Sequence, residues 1–229
     1  MAAADRDALW MVVHGLCVVD EMRAHIPAPC SEVNLASGED TGWAILKDIF
    51  GKTQFLLIPT RRLAGIESPL VGTSELPNYW RAAWSARRMV SERANKELPR
   101  DAIGMAINAA NARTQDQLHI HVDCIRPDVR EALWTQASKI TAQWAYLDLG
   151  GHTYRARRID GAEPEPDPFA LLAEDARALR HPMGEETLAV IGAKLEDGKE
   201  GFILLSDRSP RAGHAHAESL LDHACALAG

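Results

Sequence analysis

No stretch of this sequence stays apolar for the roughly 20 residues that a helical membrane span needs. Basic residues are not in excess: 25 Lys and Arg stand against 32 Asp and Glu, for a formal net charge of −7. A broad positive field for a nucleic-acid backbone is therefore missing, and DNA or RNA binding is not expected. A small anionic ligand stays open, because a few local donors can overcome a mildly acidic surface. No tandem repeat or low-complexity segment is present, so a repeat architecture is not indicated. The opening Met1-Ala2-Ala3-Ala4-Asp5 lacks a signal-peptide pattern. It reads as a start methionine set on a mature N-terminus from which a processed segment has been removed.

No two cysteines form a CxxC pair, so a zinc finger is not indicated. The four cysteines stand at 17, 30, 124 and 225. They fit two disulfides in an oxidising compartment, in any of three pairings. Composition fits four buried thiols in a cytosolic protein equally well.

What is present is apolar material for a sizeable core: 46% of 229 residues. Residues 5–20 carry Leu9, Val12, Val13 and Leu16 at helical spacing behind Asp5. Residues 42–48 and 54–58 read as a hairpin stopped by Pro59. Residues 77–98 read as the strongest helix, with Trp80 and Trp84 as core packing. Residues 103–107 and 118–124 read as strands. Pro127 opens a helix whose stripe runs through Val129, Leu133, Ala137, Ile140 and Trp144. Beyond Gly150 come a strand over 153–159, a short helix, and a hairpin with arms 187–195 and 201–206 turning at Asp197-Gly198. A last helix is expected over 215–227. His214 and His216 would splay apart on it and are read as solvated.

Chemistry concentrates between Asn108 and Asp128. On a strand, His119 and His121 point the same way, while Ile120 and Val122 anchor the other face. Two imidazoles are thus fixed side by side on a rigid support. The preceding loop supplies Asn108, Arg113, Thr114 and Gln115, donors suited to phosphate oxygens. The same strand face carries Asp123, so a metal site is a rival reading. It ranks lower, because such a site also needs ligands from elsewhere.

A hydrophobic residue and Asn, a polar loop, and then a strand with alternating histidines resembles the histidine-triad superfamily. The hairpin through Trp43–Asp48 and Gln54–Pro59 agrees. Stretches along nearly the whole chain resemble one bacterial family within it, the CDP-diacylglycerol pyrophosphatases. They include Pro29-Cys30, Gly65-Ile66-Glu67-Ser68-Pro69, Thr114–His121, Cys124–Arg130, Tyr154–Arg158 and Asp222-His223-Ala224-Cys225. The resemblance implies an α+β fold: a histidine-triad-like antiparallel sheet with packed helices in residues 1–150. A C-terminal α/β extension, 151–229, would pack on that core as one structural unit.

The resemblance also implies hydrolysis of CDP-diacylglycerol to CMP and phosphatidate through a nucleotidyl-histidine intermediate on His119, with no cofactor and no metal. His121 falls at the position that donates to the phosphate. The superfamily's first histidine is replaced by Gln117, which can donate a hydrogen bond but cannot transfer a proton, so slow turnover or a substitute residue is expected. Lys47 falls loosely where small relatives carry another histidine and would contact phosphate. The implied setting is the periplasmic side of a bacterial inner membrane, with a lipid surface as partner and the oligomeric state left open. Another pyrophosphate substrate, or a non-catalytic nucleotide-binding module, are the alternative readings.

Overall fold

The computed structural model describes residues 5–195, 198–209 and 217–229. The Met1 start, Asp197 of the expected turn and the His214/His216 pair lie outside the described residues. Nine strands form one sheet: β1 (Glu32–Asn34), β2 (Trp43–Lys47), β3 (Phe55–Pro59), β4 (Ile103–Ile107), β5 (Ile120–Cys124), β6 (Ala145–Leu149), β7 (His152–Asp160), β8 (Glu186–Lys194) and β9 (Glu200–Arg208). Their order is β1-β2-β3-β5-β4-β8-β9-β7-β6. Each neighbouring pair is antiparallel, as in an α+β fold. β8 pairs with β4, so residues on both sides of position 150 share the sheet.

Period-two alternation gives this sheet two different faces. On one, Ile45, Phe55, Leu57, Ile120 and Val122 pack in a core with Trp80, Trp84 and Phe169. These aromatics come from α3 (Tyr79–Ser85) and α6 (Pro168–Leu179), with Val90 from α4 (Arg87–Ala94). Trp80 and Trp84 are core residues, as expected.

The other face has two separate covers. Over β2 and β3 lies a continuous helical segment: α1 (Ala8–Val12), a π-helical turn at Val13–Cys17, and α2 (Val18–Ala24). It buries Leu9, Val13 and Val18 against Ala44, Leu56 and Ile58. Over β4, β8 and β9 lie α5 (Pro127–Thr135) and the C-terminal tail. Val129, Leu133, Leu220 and Leu221 pack there on Ala106, Ala189 and Ile191. β5 runs between the two covers.

Three expected helices differ. The helix over 77–98 is two helices meeting at Ala86, whose N–H bonds to the Ala83 carbonyl rather than to that of Ala82, the α-helical partner. Ser85 donates to the Ala82 carbonyl and Arg87 to the Trp84 carbonyl, satisfying the groups freed by the break. The helix from Pro127, whose expected stripe ran to Trp144, ends at Thr135: a 3₁₀ turn follows at Ala137–Lys139, and the Thr141 carbonyl accepts from Arg158 N–H of β7. Residues 145–149, given no element by the sequence reading, form a strand beside β7.

In the described part of the last expected helix there are only 3₁₀ turns, Ala217–Leu220 and Ala226–Ala228. Here the backbone bonds to the segment after β5: Arg126 N–H to the Leu220 carbonyl and Asp222 N–H to the Cys124 carbonyl. Disulfides join Cys17 to Cys30 and Cys124 to Cys225. Gly104 on β4 makes room for this docking. A Cβ there would fall 2.6 Å from Ile125 Cγ2 and 2.9 Å from Leu221 Cδ2.

Candidate catalytic site

His119 and His121 sit in the gap between the two covers, with ring centroids 4.9 Å apart and planes at 70°. Both are buried, at 9% and 5% exposure. His119 Nδ1 lies 2.6 Å from the Gln117 carbonyl oxygen. A carbonyl only accepts, so Nδ1 carries the proton and Nε2 keeps its lone pair.

His121 has the opposite pattern. Its Nδ1 lies 3.0 Å from Gln54 Nε2. That amide nitrogen is also 2.5 Å from Asp48 Oδ2, which fixes it as the donor end of the amide. Nδ1 of His121 therefore accepts, and Nε2 carries an N–H that is buried without a partner. Burial pushes His119 down to about 4, and the neighbouring His121 adds to this. Burial likewise pushes His121 down to about 4. Both imidazoles are neutral at pH 7.

A cavity of about 430 Å³ opens onto this pair. Its polar wall holds Lys47, Asp48, Asn108 and Glu218; its apolar wall holds Leu9, Val12, Leu46 and Leu56, with Ile49 and Phe50 also lining it. A larger hollow of about 920 Å³ beside Trp84, Arg87 and Arg100 contains neither histidine, so size alone does not locate the chemistry.

Arg113, Thr114 and Gln115 also line the histidine cavity, with uses of their own. Arg113 grips Glu67 at 2.6 and 2.7 Å and Asp116 at 3.0 and 3.2 Å. Gln115 accepts from Leu9 N–H and donates to the Asp5 carbonyl, tying α1 to the loop. Thr114 is exposed. Asn108 donates to Glu218 Oε2 at 3.0 Å. Lys47 Nζ donates to the carbonyls of Asp48 and Gly51, holding the β2–β3 turn. Burial and the nearby Arg93 charge lower its pKa.

Gln117 does not line the cavity. Its amide donates to the Pro59 and Arg61 carbonyls at 2.9 Å and accepts from Leu63 N–H at 3.3 Å. Asp123 is also turned to structure: Thr53 Oγ1 donates to it at 2.6 Å, and His223 Nδ1 lies 3.0 Å from its other oxygen. Among the described residues no group of three or more His, Cys, Asp or Glu is arranged to hold a metal ion.

Glu218, His223, Gln54 and Asp48 were not legible as site residues. Glu218 Oε1 lies 3.3 Å from His121 Nδ1 and 3.5 Å from His223 Nε2. The bond to Asp123 raises the His223 pKa against the effect of burial. The sequence signals were the family resemblance at Asp222-His223-Ala224-Cys225 and the pairing of Cys124 with Cys225, one of three possible arrangements. Once made, it sets His223 beside Asp123.

Fold and site together define an α+β protein with a neutral histidine pair in a partly apolar cavity. The model of the CDP-diacylglycerol pyrophosphatase family matches residues 4–229. A CDP-diacylglycerol pyrophosphatase of Yersinia pestis is 38% identical over 227 residues, covering 97% of this chain and 85% of the relative. The chain belongs to the CDP-diacylglycerol pyrophosphatase family.

Proposed function

We propose that this protein hydrolyses CDP-diacylglycerol to CMP and phosphatidate, with His119 as the nucleophile in a histidine-triad-type sheet. The observation that carries the reading is the complementary pair of tautomers. His119 offers a lone pair on Nε2, and His121 an unpartnered N–H on Nε2. In the first step His119 Nε2 bonds to the α-phosphorus. The bond from that phosphorus to the bridging oxygen breaks, and phosphatidate leaves with the electron pair. The His121 N–H donates to a phosphate oxygen as negative charge builds on it. In the second step water breaks the P–N bond and CMP is released. Division into two displacements is the gain from covalent catalysis. Gln117 acts through its carbonyl, which holds His119 in the reactive tautomer. Lys47, Asn108, Arg113, Thr114 and Gln115 shape the phosphate end.

A cavity of about 430 Å³ is near the lower end of the ~300–1,000 Å³ range of ligand pockets, suited to a headgroup rather than two acyl chains. Its rim is apolar and open to solvent: Ile49 is 89% exposed and Phe50 71%. These residues support contact with a lipid surface that keeps the acyl chains while the headgroup enters. The two disulfides support an oxidising compartment, the periplasmic side of the bacterial envelope. Residues 151–229 are read as packed on the core in one unit, supported by the β8–β4 pairing.

The test is CDP-diacylglycerol hydrolysis in detergent micelles with EDTA, for wild type and His119→Ala. CMP release by wild type and a loss of about 10³-fold or more in the variant are expected. A wild type inactive on this lipid but active on soluble CDP-alcohols would move the reading to another pyrophosphate. Nucleotide binding without turnover on any of them would make the protein a binding module.

A further inference from the structure

We propose that Glu218 is the proton acceptor in the second displacement, delivered to the cavity by the disulfide-tethered C-terminal tail. The inference rests on the reading of His119 as nucleophile. When water attacks the nucleotidyl-histidine, its oxygen bonds to phosphorus and the P–N electron pair returns to His119 Nε2. One water proton must leave, and the groups first expected to take it are unsuited. Gln117 is an amide committed to backbone. His119 is the leaving group. His121 carries its proton on the nitrogen without a partner, and burial makes its ring a poor base.

Glu218 lies on the cavity wall and its carboxylate is held by several groups. Asn108 Nδ2 is 3.0 Å from Oε2, and Gln54 Nε2 is 3.4 Å from Oε1. His223 Nε2 is 3.5 Å away, its ring fixed by Asp123. The Glu218 N–H donates to Asn108 Oδ1 at 3.2 Å. Such a carboxylate works against binding of a substrate with two anionic phosphates, which points to a role in chemistry rather than in affinity. It also has somewhere to put the proton. His223 donates through Nδ1 to Asp123, so Nε2 of its neutral ring, 3.5 Å from Oε1, can accept a hydrogen bond from the Glu218 carboxylic acid. The other carboxylate of the cavity, Asp48, has no such acceptor in its described contacts: its oxygens accept from Phe50 N–H and from the Gln54 amide.

The experiment is rapid-quench turnover of CDP-diacylglycerol labelled in the cytidine, in wild type, Glu218→Gln and Asp48→Asn. In Glu218→Gln, phosphatidate should appear in a burst at a rate within about tenfold of wild type. CMP release should slow by about 10²-fold or more, as for loss of a general base, and label should accumulate on His119. A second variant, Glu218→Ala, should regain CMP release with added formate, which a folding defect would not do. Equal slowing of both steps in Glu218→Gln with no formate rescue of Glu218→Ala overturns the proposal, as does accumulation in Asp48→Asn but not in Glu218→Gln. If wild type forms no labelled His119 at any time, the nucleophile reading itself fails. If wild type forms the adduct and Glu218→Gln does not accumulate it, the role of Glu218 alone fails.

Discussion

The Nδ1 atom of His119 lies 2.6 Å from the carbonyl oxygen of Gln117, two residues earlier in the chain. At the position of the superfamily's first histidine, the backbone sets the tautomer of the proposed nucleophile and the side chain ties down the end of β3. The replacement of histidine by glutamine thus bears on the fold more than on proton transfer.

Gln117→Ala removes three hydrogen bonds from a site that is 0% exposed and leaves two carbonyls and one N–H without that partner. A stability loss of roughly 2–4 kcal/mol is expected from urea unfolding. Gln117→His should bring no gain in rate, because that side chain does not line the cavity. A faster Gln117→His enzyme would show that a proton donor had been missing there.

The depressed histidines set a pH window. Both have folded values of about 4 against 6.5 as the ordinary value. Between those limits the unfolded chain binds protons that the folded chain refuses. Stability from this source is therefore complete above pH 6.5 and falls as pH drops toward 4. At 1.36 kcal/mol per unit, each shift alone corresponds to roughly 3 kcal/mol. His223 works in the opposite sense. Its pKa is raised by Asp123, so its contribution is present below 6.5 and fades as pH rises through the raised value. The acid limb of kcat/KM should also lie nearer pH 4 than 6.5, because His119 stays neutral that far. An acid limb at 6.5 would mean that the ring is hydrated in solution.

The two disulfides should fail differently. The Cys124–Cys225 bridge spans 101 positions and holds the segment that carries Glu218 and His223. Replacing both cysteines by serine should cost about 4 kcal/mol by loop closure and should lower kcat. Replacing Cys17 and Cys30 releases the helix that supplies Leu9 and Val12 to the cavity wall. There the larger change should be in KM. Steady-state kinetics of the two double variants, each checked by circular dichroism, compares them.

Ile49→Ser/Phe50→Ser should weaken turnover of lipid in vesicles several-fold more than turnover of a soluble CDP-alcohol. Equal losses on both substrates would place these residues in headgroup binding instead of lipid contact.

The paired strands were largely legible because their alternation is local: Ile120 and Val122 against His119 and His121 needs only four consecutive residues. The hairpins β2–β3 and β8–β9 were legible for the same reason. Helix lengths were not: α5 stops at Thr135 although the apolar stripe runs on to Trp144. The site was legible on β5 and opaque elsewhere. Asn108 and Gln115 looked like phosphate donors, but the sequence could not show that the partners on hand were Glu218 and the Leu9 backbone. Glu218 itself carried no local signal, because its meaning comes from a tail folded back across the sheet.

Leu9, near one end of the chain, and Glu218, near the other, line the same cavity. Neither belongs to a strand of the sheet between them. During synthesis the segment bearing both histidines emerges well before the one that completes their surroundings. A chain still being made would therefore carry the proposed nucleophile in an unfinished pocket. Turnover would begin only after the segment bearing Glu218 has docked and Cys225 has been oxidised.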